Sequence, residues 1–294
     1  MVAKLRSSPR AARSPSRGDL PTTPSVGAPA PIRRPYPPGL GFTPREAKKS
    51  APAGIEVADP PGRGGTLPCI AYVVLYHAAA AGGLVWWHVR EHRVVNPTQI
   101  CLAVFCTINA WICVCEIALF FYPGEIQRQH AAFSARYGEG VLPPVFLFER
   151  VTVRELFSLR YWAVMWSTYC ALDPSYADTK SFGYCVDVGN GWTTLLPTIA
   201  FAVGMTTPAV LSARWLGMLG LMEFYKELYG TIIYFFQYVN NRRFDRSPKA
   251  HVWGIVVPAN GIWIGFPLLG MWACSRLIVD GNFDVFQKAG WKVA

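Results

Sequence analysis

Charge is scarce in this sequence: Asp, Glu, Lys and Arg make up 16% of its 294 residues, where a soluble domain carries about 25%. With 52% apolar and 14% aromatic residues, the chain is too oily for water to be its only solvent, and an integral membrane protein is expected. Several motifs are missing too. There is no phosphate-cradling glycine loop, no zinc-ligand spacing and no nucleophile elbow, so nucleotide, zinc and serine-hydrolase chemistry have nothing to rest on. Of the eight cysteines, Cys101, Cys106, Cys113, Cys115, Cys185 and Cys274 fall in or beside apolar runs without metal-ligand spacing. Cys113 and Cys115 point to different helix faces, so small buried hydrophobes are expected rather than a disulfide framework. His77, His88 and His92 read as a group at one membrane edge with an interfacial role. No metal or cofactor is implied.

What charge there is lies unevenly. Residues 1–65 hold 11 Lys/Arg against 4 Asp/Glu, a net +7 of the whole-chain +10. This segment is rich in Pro, Ser, Ala and Gly and lacks a periodic apolar face, so it cannot bury enough surface to offset chain entropy. Residues 1–66 therefore read as a disordered basic arm, suited to an anionic leaflet surface. No aromatic or folded reading module accompanies the charges, which argues against a nucleic-acid partner. Met1 to Arg17 is rich in Arg and Ser and has no acid, the composition of an organellar transit peptide as well as of a solvated tail.

Five segments approach the roughly 20 apolar residues that a bilayer core needs. These are Cys69 to Trp87, Ile100 to Tyr122, about Trp192 to Leu211, Trp215 to Tyr238, and His251 to Ile278. The expected fold is an all-α polytopic helix bundle of about five transmembrane helices over residues 67–280, with a short tail at 281–294. No signal peptide is visible, so the first span is expected to act as its own insertion signal. Five crossings put the arm and the basic loop Asn240 to Lys249 on one side, which the positive-inside bias makes cytoplasmic, with the tail opposite. Within the long connection from Pro123 to Phe182, Tyr161 to Leu172 is apolar but too short to cross, and fits an interfacial or re-entrant segment.

Polar groups at membrane depth are costly, and they tend to face a bundle interior or a cavity. Here they are Asn109, Glu116, Asp187, Asn190, Glu223, Thr231 and Asn260. Asn260 and Trp263 are three apart on one helix and share a face. Trp111, Trp192, Tyr229 and Tyr234 add aromatic surface. Aromatic walls with a few carboxylates suit a flat apolar ligand that carries or transiently acquires positive charge; the other role open to such residues is to hold helices together.

Three stretches resemble the emopamil-binding protein or sterol Δ8-to-Δ7 isomerase family, whose membrane module is the EXPERA domain. Tyr229-Gly230-Thr231-Ile232-Ile233-Tyr234-Phe235 is similar to its Tyr-Gly-Asp-x-x-Tyr-Phe. Asn260-Gly261-Ile262-Trp263-Ile264-Gly265-Phe266-Pro267 is similar to its Asn-x-x-Trp-x-x-x-Pro. Trp166 to Tyr169, Asp173 to Tyr176, and Phe182 to Asp187 follow its Trp-x-x-Tyr, Asp-x-x-Tyr and Phe-x-x-Cys-x-Glu series. The resemblance implies a five-helix bundle in the endoplasmic reticulum, with a sterol-sized cavity open to the membrane. In the active isomerases of that family an acid protonates the Δ8 double bond, and carboxylates and a Trp face stabilise the cation, which the resemblance makes the expected chemistry.

On that basis Glu116 and Asp187 are the expected proton carriers. Asn109, Asn190, Tyr229, Thr231, Asn260 and Trp263 are the expected substrate contacts. The ligand is a sterol or another flat apolar lipid, and a homodimer is compatible. Asp187 stands where the family has Glu, and Asn190 where it has Thr. The family's His-x-x-x-Glu pair in the second span is not intact: Ile112 precedes Glu116 at that spacing, and Cys113 follows Asn109. The readings carried forward are a sterol isomerase-like enzyme, a non-catalytic lipid binder on the same fold, and a structural subunit of a membrane complex.

Overall fold

The computed structural model describes residues 67–293. The expected arm, and its reading as a transit peptide, lie outside the described residues. Seven longer helices build most of the rest. Helix α1 (Cys69–His92) follows Pro68 and stops where Arg93 turns into the left-handed region at φ 54°. Helix α2 (Pro97–Phe121) opens on Asn96, whose side chain accepts from the Gln99 backbone N–H at 2.9 Å, with Pro97 in the first turn. Both residues supply what a helix start requires, a side-chain acceptor and a pre-set φ without a wasted donor. Helices α3 (Pro123–Tyr137) and α4 (Leu159–Tyr169) are shorter. Helix α5 (Phe182–Gly204) is capped by Ser181, and α6 (Ala213–Asn240) runs for 28 residues. A π-helical turn at Val252–Val256 leads into α7 (Val257–Asp280), which ends at Gly281 with φ 66°.

The architecture is all-α. Its only strand pairings among the described residues are two-residue bridges, Leu67–Pro68 with Arg150–Val151 and Val94–Val95 with Trp291–Lys292. Three helices are long and apolar enough to cross a membrane: α1, α2 and the continuous helix Lys249–Asp280. Helices α5 and α6, at 23 and 28 residues, have the length but carry more polar side chains.

The five long helices alternate in direction. At one end, the Cys69 N–H donates to the Glu149 carbonyl, and Arg243 pairs with Asp173. At the other, a His92 ring nitrogen meets the Thr206 carbonyl, and Asn96 donates to carbonyls of Val285 and Ala289. The loop after α6 thus shares an end with Leu67, and the tail lies at the far end.

Lipid tails are as apolar as leucine, so helix association here depends on close packing and interhelical hydrogen bonds rather than on escape from water. Glycine supplies the closeness. A Cβ on Gly191 of α5 would come within 2.8 Å of Glu116 Cβ and 3.0 Å of the Cys113 carbonyl on α2; one on Gly220 of α6 would strike Phe201 and Cys274. Around these contacts Phe105, Phe201, Phe224 and Leu277 are fully buried.

Several sequence expectations need correction. The third span begins ten residues earlier than Trp192, at Phe182, and ends at Gly204, leaving Pro208 outside it. The apolar stretch from Tyr161 is helix α4, with Tyr161, Trp162 and Trp166 buried. Its Trp166 Nε1 donates to the Cys115 carbonyl of α2 at 2.7 Å, so this helix is seated on protein. The short tail, for which nothing beyond its side was expected, packs on the bundle: Phe286 is fully buried and its carbonyl meets His88 Nε2 at 3.1 Å. The three histidines are not one group: His88 and His92 have ring centroids 4.7 Å apart, whereas His77 packs edge-on against Trp111. Arg243, counted with the basic loop, is a buried cation bound to Asp173 at 2.9 Å. The cysteines are free, with Cys69, Cys106, Cys113, Cys115, Cys170 and Cys274 buried.

Candidate functional site

Helices α2, α4, α5, α6 and α7 surround a partly open cavity of about 190 Å³. Glu116 and Ile112 enter it from α2, Trp166 and Tyr169 from α4, and Asp187 and Asn190 from α5. Thr231 and Tyr234 come from α6, Asn260 and Trp263 from α7, and Tyr176 from the turn before α5. Six of the eight expected site residues therefore share one hollow: Glu116, Asp187, Asn190, Thr231, Asn260 and Trp263.

The two carboxylates differ in surroundings. Glu116 is 5% exposed, and its Oε2 has no hydrogen-bond partner. The close approach of α2 and α5 at Gly191 brings the base of its side chain against α5. Asp187 lies beside the Tyr176 hydroxyl and close enough to Glu116 for their charges to interact. A buried carboxyl oxygen without a donor is a group left free for something that enters.

The remaining walls are aromatic and mutually locked. Asn260 Nδ2 donates to the Tyr169 hydroxyl at 3.0 Å and to the Val256 carbonyl at 2.8 Å. The Tyr169 and Tyr234 hydroxyls are 3.4 Å apart, and the Tyr176 ring lies 4.8 Å from Trp166 and 5.5 Å from Tyr169, centroid to centroid. Such a lining presents π faces with few polar tips, the surface a cation over an aromatic ring prefers.

Two expected site residues lie elsewhere. Tyr229 is 54% exposed and stacks on Tyr225. It sits two residues before Thr231, about 200° around the helix from the face that Thr231 and Tyr234 share. Asn109 stands behind the cavity. Its Oδ1 accepts from Trp263 Nε1 at 3.4 Å, while its Nδ2 donates to Thr198 Oγ1 at 2.9 Å and to Glu227. It fixes the indole and does not face the hollow. Of the other aromatics expected to add surface there (Trp111, Trp192 and Tyr234), Tyr234 reaches the cavity; Trp111 packs on Trp162, and Trp192 lies 52% exposed beside Phe120 and Phe121.

Sequence reasoning passed over Tyr169 and Tyr176 as wall residues, although both stand in quoted motifs, and it left Glu227, on the fourth span with Glu223 and Lys226, out of the polar set at membrane depth. The available signal for Glu227 was its position four residues after Glu223, two acids one turn apart inside an oily helix. Among the described residues no cluster of His, Cys, Asp and Glu is arranged to hold a metal.

The chain is thus an all-α membrane helix bundle enclosing an acid-bearing, aromatic-walled cavity among five helices. No family model, no curated protein and no solved structure matches it.

Proposed function

We propose that the chain is a sterol Δ8-to-Δ7 isomerase-like protein, of the emopamil-binding type, that moves a ring double bond by protonation and deprotonation. The observation that supports this most is the meeting of Glu116, with its unpartnered oxygen, and Asp187 on one cavity walled by Trp263 and three tyrosines. In this scheme neutral Glu116 gives its proton to one alkene carbon, the π electrons forming the new C–H bond. The cation left on the neighbouring carbon faces the Trp263 and tyrosine rings, and its charge is stabilised by fixed groups in a dry site. Asp187 then takes a proton from the adjacent carbon, and that C–H pair becomes the shifted double bond.

The cavity is smaller than the roughly 300–1,000 Å³ of ordinary ligand pockets. It therefore takes the reacting end of a flat ring system, with the remainder in the bilayer. The endoplasmic reticulum, where such sterols are processed, is the compartment this reading implies, and α5 and α6 complete five crossings.

One observation favours a second reading. Ile112, one turn before Glu116, lines the cavity at the place where the resemblance puts a histidine, and an apolar side chain there supports sterol binding without turnover. Expression in cells that lack Δ8-to-Δ7 isomerase decides between them. The enzyme reading expects loss of accumulated Δ8-sterol with the parent chain and its persistence with Glu116→Gln or Asp187→Asn. Persistence with the parent chain ends that reading, and sterol photolabelling sensitive to Asn260→Ala then separates a binder from a scaffold.

A further inference from the structure

Behind the cavity, on the far side of Asn109, lies a second buried polar cluster that the proposed chemistry does not use. Glu223 and Glu227, one helical turn apart on α6, are 4% and 2% exposed. Thr198 on α5 donates its hydroxyl proton to Glu223 Oε1, and Asn109 on α2 donates to Glu227 Oε1. Each carboxyl has one oxygen provided for, and the other, Oε2, has no partner in either residue.

The usual reason for two buried acids is a buried cation, and here none is bonded to them. Lys226, between them in sequence, directs its ammonium to the hydroxyls of Thr193 and Thr194 on α5. The other titratable groups facing the pair are Cys106, Cys113 and Glu116 of α2 and Cys274 of α7, and none of them is a cation. The Lys226 ammonium is near enough for its charge to be felt by both acids, but it is one cation for two carboxyls and is bonded to neither; two ionised carboxylates this close and out of water would still repel and forfeit their hydration. A carboxylic acid has the opposite need, since its O–H requires only an acceptor, and two unpartnered oxygens provide a donor and an acceptor once one proton is present.

We propose that Glu223 and Glu227 form a second proton-binding site, separate from the lipid cavity, that returns a proton to Glu116 after each turnover. Glu227 is near enough to Glu116 for their charges to interact, and it is not among the residues that line the cavity. The balance is simple: an O–H bond breaks at Glu227 and one forms at Glu116. Asp187 loses its acquired proton to water, and the pair takes one up from water, so no proton is consumed overall. The relay rests on Glu116 being the cavity acid; the proton site itself does not.

The test is infrared difference spectroscopy of the full chain in lipid nanodiscs, exchanged from H2O to D2O at neutral pH, together with sterol turnover. A protonated-carboxyl band that persists in Glu116→Gln and disappears in the double variant Glu223→Gln/Glu227→Gln is the expected result. The amides replace a neutral acid, so the double variant should fold; failure to fold, or a band unchanged in it, overturns the proton site. A band in the parent chain that sodium or potassium chloride removes overturns it in favour of a bound cation. For the relay, the double variant should slow turnover at least ~10-fold with unaltered sterol photolabelling, and an unchanged rate refutes it while leaving Glu116 in its role. If the parent chain turns over no sterol, the relay falls with the isomerase reading, and the infrared band still decides the proton site.

Discussion

Removing the Asp173 carboxylate should cost more than any surface charge in the molecule. Arg243 Nη1 lies 2.9 Å from Asp173 Oδ2, with side-chain exposures of 10% and 0%. At that distance and an effective dielectric of about 20 the attraction is roughly 6 kcal/mol, most of which offsets the desolvation of the two ions. Truncating one partner leaves the other charged, buried and alone, at about 3–5 kcal/mol. Asp173 Oδ1 also accepts from the Ser175 N–H at 3.0 Å, and leaving that donor orphaned adds about 1 kcal/mol. Asp173→Ala is therefore expected to destabilise the chain by roughly 4–6 kcal/mol.

The assay is denaturant unfolding in detergent micelles, followed by near-ultraviolet circular dichroism of the tryptophans. It is run as a double-mutant cycle with Arg243→Met. Asp173→Ala introduced on top of Arg243→Met no longer strands a cation, and should cost at least ~2 kcal/mol less than it does in the parent chain. A single-variant cost under about 1 kcal/mol, or strict additivity across the cycle, would refute the reasoning. The pair matters beyond stability. The Asp173 charge is also felt by Tyr169, Tyr176 and Tyr234, three cavity walls, so the same variant should weaken sterol photolabelling.

Other perturbations test the packing more locally. Gly191→Ala sets a methyl against Glu116 Cβ and the α2 backbone and should cost about 1–3 kcal/mol, read as a lower midpoint in thermal unfolding with reduced photolabelling. Tyr229→Ala, on the outer surface, should leave stability within about 0.5 kcal/mol and labelling unchanged; lost labelling would put that side chain back in the site. Phe286→Ala should cost about 3–5 kcal/mol and make the C-terminal tail cleavable by a protease that leaves the parent chain intact.

The fold was largely legible because hydropathy reports which solvent a helix prefers, and α1, α2 and α7 speak for lipid along most of their length. It failed at the start of α5, where Asp187 and Asn190 lower the apolar score because that stretch faces a cavity and not a bilayer. Helix α4 was legible as a short apolar piece, but its burial depends on Cys115 of α2, 51 residues away from its Trp166 partner, and no local pattern announces that. The carboxylates, Asn260 and Trp263 could be found because polar groups in oily helices are conspicuous singly. Assigning Asn109 and Tyr229 to the cavity failed for geometric reasons. Tyr229 was assigned as aromatic surface within the same stretch as Thr231, although two residues turn a helix to its other side, and Asn109 meets Glu227, 118 residues away.

The π turn at Val252–Val256 has a consequence for Asn260 and Trp263 that their own contacts do not reveal. A π turn accommodates a surplus residue without breaking the rod, and this one comes just before Pro258, whose ring would collide with a carbonyl in an ordinary α-helical turn. Each residue advances an α-helix by about 100°, so the surplus sets the azimuth at which everything downstream emerges. Winding the same residues into ordinary α turns, with none removed, would swing the amide and the indole a quarter-turn or more off their bearing.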